Sequence, residues 1–87
     1  MSIVYVKISL ALIDHLTDFF KKLKDFVGEF TICQQDVHES YLGVITIQFF
    51  TDKIKFKEGE NRQCEILAKS NEDGTWEFTE IKKIYGE

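Results

Sequence analysis

The sequence contains no proline, and none of its five glycines is next to another. The absence of proline indicates regular elements joined by tight turns rather than a chain with linkers. Without closely spaced glycines there is no glycine-rich loop of the kind that cradles phosphate groups. No apolar run approaches the roughly 20 residues of a membrane-spanning helix. These absences favour one small globular domain.

Cysteine is also scarce, since Cys33 and Cys64 are the only two. The N-terminus is apolar, but it lacks the basic start and small-residue cleavage pattern of a secretory signal peptide. Two cysteines without a secretion signal are more often reduced thiols than a disulfide framework. We therefore expect a soluble cytoplasmic protein.

Basic residues are outnumbered, because fifteen Asp and Glu against eleven Lys and Arg give a net charge of −4. The excess lies in residues 58–80, which contain only two basic residues, Arg62 and Lys69. The acids of this segment are Glu58, Glu60, Glu65, Glu72, Asp73, Glu77 and Glu80. A negative surface repels nucleic acid and attracts basic partners.

The chain has 87 residues, of which 44% are hydrophobic and 30% charged. Eight Phe, three Tyr and one Trp supply large side chains for a modest core. We treat residues 1–87 as a single domain.

Helical periodicity is the clearest pattern in the chain. Its apolar residues recur at i, i+3, i+4 and i+7 and are Leu16, Phe19, Phe20, Leu23, Phe26 and Val27. Gly28 stands where such a helix would end, and Ser9 or Asp14 would cap its start. We predict a helix over about 10–27 that buries this face against a sheet.

Strand patterns precede and follow the helix. Residues 2–8 alternate and predict a strand, which runs on to Leu12 if the phase is kept. Further strands are predicted at 29–34, 41–51, 53–57, 64–68 and 76–80. Turns are predicted at 35–40, 59–61 and 71–74. The alternation slips after Phe78, which predicts a bulge or a strand end near Glu80.

This order gives an α+β domain with an N-terminal strand and one long amphipathic helix packed on a curved antiparallel sheet of four to five strands. The closing stretch EILAKSNEDGTWEFTEI has a DGTW turn that leads into an aromatic strand. With the long helix, it resembles the cystatin-like rolls, including the nuclear-transport-factor-like superfamily. The resemblance implies the shape of the fold and, as one function, a ligand pocket between helix and sheet. Such folds host many unrelated roles.

The segment CQQDVHE at 33–39 brings a thiol, an imidazole and two carboxylates together. A metal site needs several ligands at short spacing, and here Cys33 and His38 would need a third from Cys64 or Glu39. A catalytic thiol–imidazole pair would lack an orienting group and an oxyanion hole. We interpret the segment as a buried thiol before a polar turn, with no catalytic residue, metal or cofactor.

Lys53, Lys55 and Lys57 would share one face if 53–57 were a strand. Next to an aromatic-rich strand, they allow a single-stranded nucleic-acid binder. Lysines also protect an exposed strand from edge-to-edge pairing, and the net negative charge favours that interpretation.

The segment 41–51 is apolar on both faces of a strand. Tyr41, Ile45, Ile47 and Phe49 share one face, and Leu42, Val44 and Phe50 share the other. One helix covers only one face, so the other is covered by sheet curvature or by a partner. A homodimer through residues 42–50 is one such arrangement.

The function favoured by these observations is that of a small non-catalytic cytoplasmic binding protein. Its most concrete form is an inhibitor or immunity-type protein that neutralises a basic toxin or nuclease through the acidic surface of residues 58–80. A phage or mobile-element accessory protein is equally compatible. A small-ligand-binding roll and a nucleic-acid binder using the lysines at 53–57 stay open as alternatives. If the C-terminal strands pair, Glu65 and Glu77 lie on the solvent face.

Overall fold

A computed structural model describes residues 1–10, 13–38 and 41–85, without the side chains of 36–38, 41 and 42. Leu12 and Glu39, on which two expectations depend, lie outside the described residues. The elements are β1 Ser2–Ser9, α1 Leu16–Val27, β2 Phe30–His38, β3 Tyr41–Thr51, β4 Gln63–Ser70 and β5 Trp76–Lys83. One helix packs on a five-stranded sheet, which confirms the α+β class and the N-terminal strand. Within the described residues, no helix is long and apolar enough to cross a membrane.

The strand order is β2-β3-β1-β4-β5, so β2 and β5 form the two edges of the sheet. β3 pairs antiparallel with β1 and β2, and β5 pairs antiparallel with β4. β4 runs parallel to β1, so the sheet is mixed rather than wholly antiparallel. The difference arises because residues 52–62 carry the chain from β3, on one side of β1, to β4 on the other.

The core lies between α1 and the central strands. Alternate residues of β1 and β3 point towards the helix, because successive side chains of a strand face opposite sides of the sheet. The buried hydrophobic residues are Val4, Val6, Leu10, Phe19, Leu23, Ile45, Ile47, Phe49, Cys64 and Ile81. The predicted helix face is confirmed, with Phe19 and Leu23 buried and the other apolar members packed around them.

The predicted start of the helix is wrong. β1 pairs with β3 through Ser9, and the N–H of Leu10 donates to a β3 carbonyl at 2.8 Å. The helix begins at Leu16, with His15 at the N-cap position and no side-chain cap hydrogen bond. Asp14 therefore does not cap it, and the sheet hydrogen bonds explain why the apolar residues before it are not helical.

The predicted end of the helix is confirmed. Gly28 has a φ of 81°, in the left-handed region that favours glycine, and its N–H donates to the carbonyl of Lys24 at 2.8 Å.

The turn predicted at 35–40 is wrong in its first part, because β2 continues to His38 and pairs with β3 as far as Tyr41. Polar residues are tolerated there because β2 is an edge strand, and residues 31–35 are exposed. The register shifts between Ile32 and Gln34 and again after Asp36.

The strand predicted at 53–57 is also wrong, because residues 53–57 form no strand. Ile54 and Phe56 are partly buried against the core, so their alternation reflects a loop that packs on the sheet. The ammonium of Lys83 in β5 lies 4.8 Å from the ring centroid of Phe56 and holds the loop against the last strand.

The C-terminal hairpin forms as predicted. The N–H of Asn71 donates to the carbonyl of Thr75 at 2.7 Å, and Gly74 has a φ of 87°. The register of β4 and β5 shifts after Leu67, which confirms the bulge near Glu80.

Candidate binding surface

Helix α1 and edge strand β5 meet in a cluster of aromatic rings. The centroid distances are 6.0 Å for Phe19–Trp76, 5.6 Å for Phe19–Phe78, 5.7 Å for Phe26–Phe78 and 4.9 Å for Trp76–Phe78. Phe19 and Phe26 are two turns apart on the helix, and Trp76 and Phe78 share one face of the strand. Trp76, Phe78 and Phe26 remain only partly buried, because β5 is the last strand of the sheet.

Two open grooves lie on either side of Trp76. The first, of about 270 Å³, is lined by Lys22, Asp25, Phe26, Trp76, Glu77 and Phe78. The second, of about 450 Å³, is lined by Ile13, Asp14, His15, Asp18, Phe19, Ala68, Trp76 and Phe78. The two share Trp76 and Phe78, so we treat them as one surface, called the α1–β5 groove below.

The rim of the α1–β5 groove is acidic. The carboxylate residues Asp14, Asp18 and Asp25 of the helix side line it, beside the ammonium group of Lys22. Glu77 borders it from β5, but its carboxylate lies on the outer face, 3.6 Å from Nζ of Lys69. Aromatic faces attract cations, and carboxylates beside them strengthen that attraction. The surface is therefore chemically suited to a group that carries both positive charge and apolar atoms.

Lys22 lines the first half of the groove. Its Nζ is 4.2 Å from the centroid of the Trp76 ring and donates to the Trp76 carbonyl at 3.0 Å. It also lies 3.7 Å from Oδ2 of Asp18, one turn earlier on the helix. The side chain of Lys22 keeps 32% of its surface exposed, so water reaches the charged group.

The acids predicted to bind a partner fall at several places on the C-terminal hairpin. Glu65, Glu77 and Glu80 are exposed, opposite Lys82, Lys69 and Leu67 respectively. The expectation that Glu65 and Glu77 lie on the solvent face is confirmed. Glu72 and Asp73 occupy the β4–β5 turn, whereas Glu58 and Glu60 precede the opposite end of β4. Of the seven, Glu77 lines the α1–β5 groove.

Glu60 is tied to β5. Nζ of Lys83 donates to both carboxylate oxygens at 3.1 Å, and the backbone N–H of Lys57 donates to Oε1 at 2.8 Å. The pKa of the Glu60 carboxyl is lowered, first by the bond from Lys57 and then by that from Lys83. Its partners within the chain give Glu60 a structural role.

Asp73 organises the turn. Its Oδ1 accepts hydrogen bonds from the Thr75 hydroxyl at 2.6 Å and from the Thr75 N–H at 3.0 Å. The same bonds lower the pKa of the Asp73 carboxyl. Glu72, also exposed in this turn, adds a second negative charge beside it.

Cys33 and Cys64 lie apart. Cys33, predicted to be buried, is exposed on β2, with Sγ 3.4 Å from Oε1 of Gln48. Cys64 is buried on β4, and burial raises the pKa of its thiol. Strands β3 and β1 lie between β2 and β4, so the two cysteines are three inter-strand spacings apart. At the usual spacing of strands this is about 14 Å across the sheet. Both are free thiols, and that separation exceeds the reach of a disulfide.

His38 lies in β2, opposite Tyr41, and not in a turn as predicted. The side chain of His38 is outside the described part, and among the side chains that are described no group of three or more His, Cys, Asp or Glu is arranged to hold a metal ion.

The predicted lysine stripe does not form. Without a strand at 53–57, Lys53, Lys55 and Lys57 share no strand face. Nζ of Lys53 lies 3.6 Å from the centroid of the Phe26 ring and 3.4 Å from the Phe26 carbonyl, so it caps the end of α1.

The centre of the helix–sheet interface is filled. Leu23 and Ile47 are fully buried and Phe49 is 1% exposed, so a ligand pocket of the kind implied by the cystatin-like rolls has no room there. The face of the sheet opposite the helix is open. It carries Thr46 and Gln48 as well as Phe50, which is 58% exposed.

Sequence reasoning placed Trp76 and Phe78 in a predicted aromatic strand and did not connect the acids of the helix with them. A signal was available in the helix, because Asp18, Lys22 and Asp25 follow one another at spacings of four and three residues and so share a stripe. Which strand this stripe lies beside depends on the strand order, which the sequence pattern does not specify.

No protein-family model matches the chain, and no curated protein or solved structure compared with it does so either.

Proposed function

We propose that this protein is a non-catalytic cytoplasmic binding protein whose partner is a basic polypeptide. In its most concrete form it is an inhibitor or immunity-type protein that neutralises a basic toxin or nuclease. The observation that supports this proposal is the α1–β5 groove, with a floor of partly exposed aromatic rings and a rim that carries Asp14, Asp18 and Asp25.

The floor of the groove suits the centre of a protein interface. Tryptophan and other aromatic side chains dominate binding energy where they are desolvated by a partner. Trp76 is positioned for this, because it borders both halves of the groove and is only partly buried. A lysine or arginine from the partner would place its stem on these rings and its charge next to Asp18 or Asp25.

The rim and the hairpin acids suit the approach of a basic partner. A negative field raises the association rate of a positively charged protein and disfavours acidic competitors. Glu72 and Asp73 follow β4 at the turn from which β5 and Trp76 begin, so their charge adds to that of the rim. Glu58 and Glu60 precede the other end of β4 and contribute less.

A homodimer through the outer sheet face around residues 42–50 is a separate proposal. The exposed ring of Phe50, which lies opposite Ile3 of β1, supports it. The neighbouring Thr46 and Gln48 on the same face are polar, so the apolar surface around Phe50 is interrupted.

Affinity capture with three forms of the protein tests the proposed function. The groove variant carries Asp14→Asn, Asp18→Asn and Asp25→Asn, and the matched control carries Glu58→Gln, Glu65→Gln and Glu80→Gln, which are exposed and do not line the groove. Both remove three negative charges. We expect the wild type and the control to capture the same basic protein from the native host, and the groove variant to lose at least tenfold in affinity for it once purified.

The captured protein also has to lose its activity when the wild type binds. Circular dichroism and melting curves verify that both triple variants fold. Equal affinity of the groove variant and the control, or an acidic captured protein, would contradict the proposal.

A further inference from the structure

Lys22 is held by three groups of the kinds that bind cations in proteins. Its Nζ meets the face of an aromatic ring at 4.2 Å, a backbone carbonyl at 3.0 Å and a carboxylate oxygen at 3.7 Å. The ring and the carbonyl both belong to Trp76 on β5, and the carboxylate belongs to Asp18 on α1. The groove thus contains a site whose geometry already fits an ammonium group.

The carbonyl in this site is free for a donor because of the position of β5 in the sheet. In an antiparallel pair, neighbouring residues direct their backbone groups alternately towards the partner strand and away from it. The carbonyl of Thr75 accepts from Asn71 on the β4 side, so that of Trp76 points to the open edge. A backbone carbonyl at a sheet edge needs a donor, and Lys22 provides it.

The site remains negative with Lys22 in it. Asp18 contacts the ammonium, while Asp25 and Asp14 line the groove on either side of it. Lys22 can leave at small cost, because its long side chain is already in contact with water and a lysine ammonium is well hydrated. Exchange of one cation for another preserves the ring, carbonyl and carboxylate contacts.

We infer that Lys22 occupies a cation subsite of the α1–β5 groove, and that a lysine or arginine side chain of the partner takes its place on binding. This inference rests on the proposed function for the identity of the partner. It specifies that the groove recognises a lysine or arginine side chain of the partner. Lys22 competes with that side chain for the subsite, and the face of the Trp76 ring becomes accessible when Lys22 leaves. The partner's side chain displaces Lys22 because the rest of the partner's chain also contacts the apolar groove on both sides of the Trp76 ring, which adds to its binding free energy.

The test compares Lys22 with Lys24, two residues on, whose Nζ pairs with Glu29 at 3.2 Å and does not line the groove. Lys22→Gln and Lys24→Gln change the net charge equally, so general attraction of a cation affects both alike. The probe is a blocked peptide of alternating arginine and leucine. The readout is the fluorescence of Trp76, the one tryptophan in the chain, so the signal reports on the subsite itself.

We expect Lys22→Gln to bind the peptide about tenfold more tightly than the wild type, since the cation contact no longer has to be displaced. Lys24→Gln is expected to stay within about twofold of the wild type. Lys22→Met keeps an apolar side chain against the Trp76 ring and should bind the peptide as tightly as Lys22→Gln. This variant controls for any affinity that is lost because the lysine stem no longer packs on the ring. A further Asp18→Asn in the Lys22→Gln background is expected to cancel the gain.

The proposed exchange of cations would be overturned if Lys22→Gln and Lys24→Gln bound the peptide with equal affinity. It would also be overturned if both Lys22 variants bound the peptide more weakly than the wild type. The proposed function fails separately, if the captured basic protein binds the groove triple variant as well as it binds the wild type. The two failures are thus distinguished by different variants and different ligands.

Discussion

The helix meets the sheet in two different ways along its length. Over the central strands the contact is closed, with Leu23 fully buried and surrounded by aliphatic residues and Phe49. Next to β5 the contact is open, because the rings of Phe26, Trp76 and Phe78 are only partly covered and acids surround them. Central strands have neighbours on both sides, whereas an edge strand has one.

The closed and open parts of the helix–sheet contact differ in how much apolar surface each leaves exposed after folding. In the closed part each side chain excludes water and contributes its full transfer free energy to folding. In the open part the rings still contribute to folding, but a partner that covers them gains the remaining apolar area. The one helix covers the centre of the sheet and leaves the rings next to the β5 edge partly exposed.

Leu23→Ala is expected to produce the largest loss of stability. The side chain is fully buried, and truncation of a buried leucine costs about 2–5 kcal/mol through lost transfer free energy and a residual cavity. That is a large fraction of the roughly 5–15 kcal/mol that stabilises a typical domain. Denaturant unfolding monitored by circular dichroism measures the change.

Phe26→Ala is the matched variant in the open part. It removes a larger side chain than Leu23→Ala does, yet it should cost less, because part of the ring is already exposed. A cost equal to that of Leu23→Ala would mean that the rings next to β5 are packed as tightly as the centre, and the α1–β5 groove would lose its basis.

The closed part was predictable from the sequence, and the open part was not. The apolar spacing of α1 and the alternation of β3 each identify a buried face from local pattern alone, and Phe19, Leu23, Ile45 and Ile47 lie where these patterns predict. Phe20 belongs to the same helical pattern but is only partly buried, because it lies towards the side of the helix.

The errors share a physical cause, which is that pairing between distant strands overrides local pattern. Residues 10 and 13–15 look helical, but the hydrogen bonds of β1 to β3 keep the chain in the sheet up to Ser9. Residues 53–57 alternate like a strand, but no neighbouring strand pairs with them. The groove depends on β5 being an edge, and this follows from the parallel pairing of β1 with β4.

The next smaller effect is a pH-dependent change in stability at Glu60, which precedes the start of β4. The Glu60 carboxyl has an ordinary pKa of 4.5, which its bonds from Lys57 and Lys83 lower in the folded protein. A lowered folded pKa contributes stability that is present above the unfolded value and lost as the pH falls through the folded value. Wild type should therefore be more stable than Glu60→Gln at pH 7, and the gap should narrow below about pH 4.5.

The control for Glu60 is Glu58→Gln, which removes an exposed carboxylate from the same loop. Unfolding free energies of the three proteins at matched pH values separate the specific bonds from the general charge change. A gap between wild type and Glu60→Gln that stays constant down to pH 3 would show that these bonds do not stabilise the fold through the charged carboxylate.

The smallest effect is expected at the ion pair of Lys69 and Glu77 on the outer face of the hairpin. The two charged groups are 3.6 Å apart, and their side chains keep 61% and 57% of their surface exposed. Exposed pairs contribute little, because water screens the charges and both side chains lose freedom. A double-mutant cycle with Lys69→Gln and Glu77→Gln should give a coupling below about 0.5 kcal/mol that disappears in 1 M salt. A coupling above about 1 kcal/mol would mean that this exposed pair contributes to the stability of the hairpin.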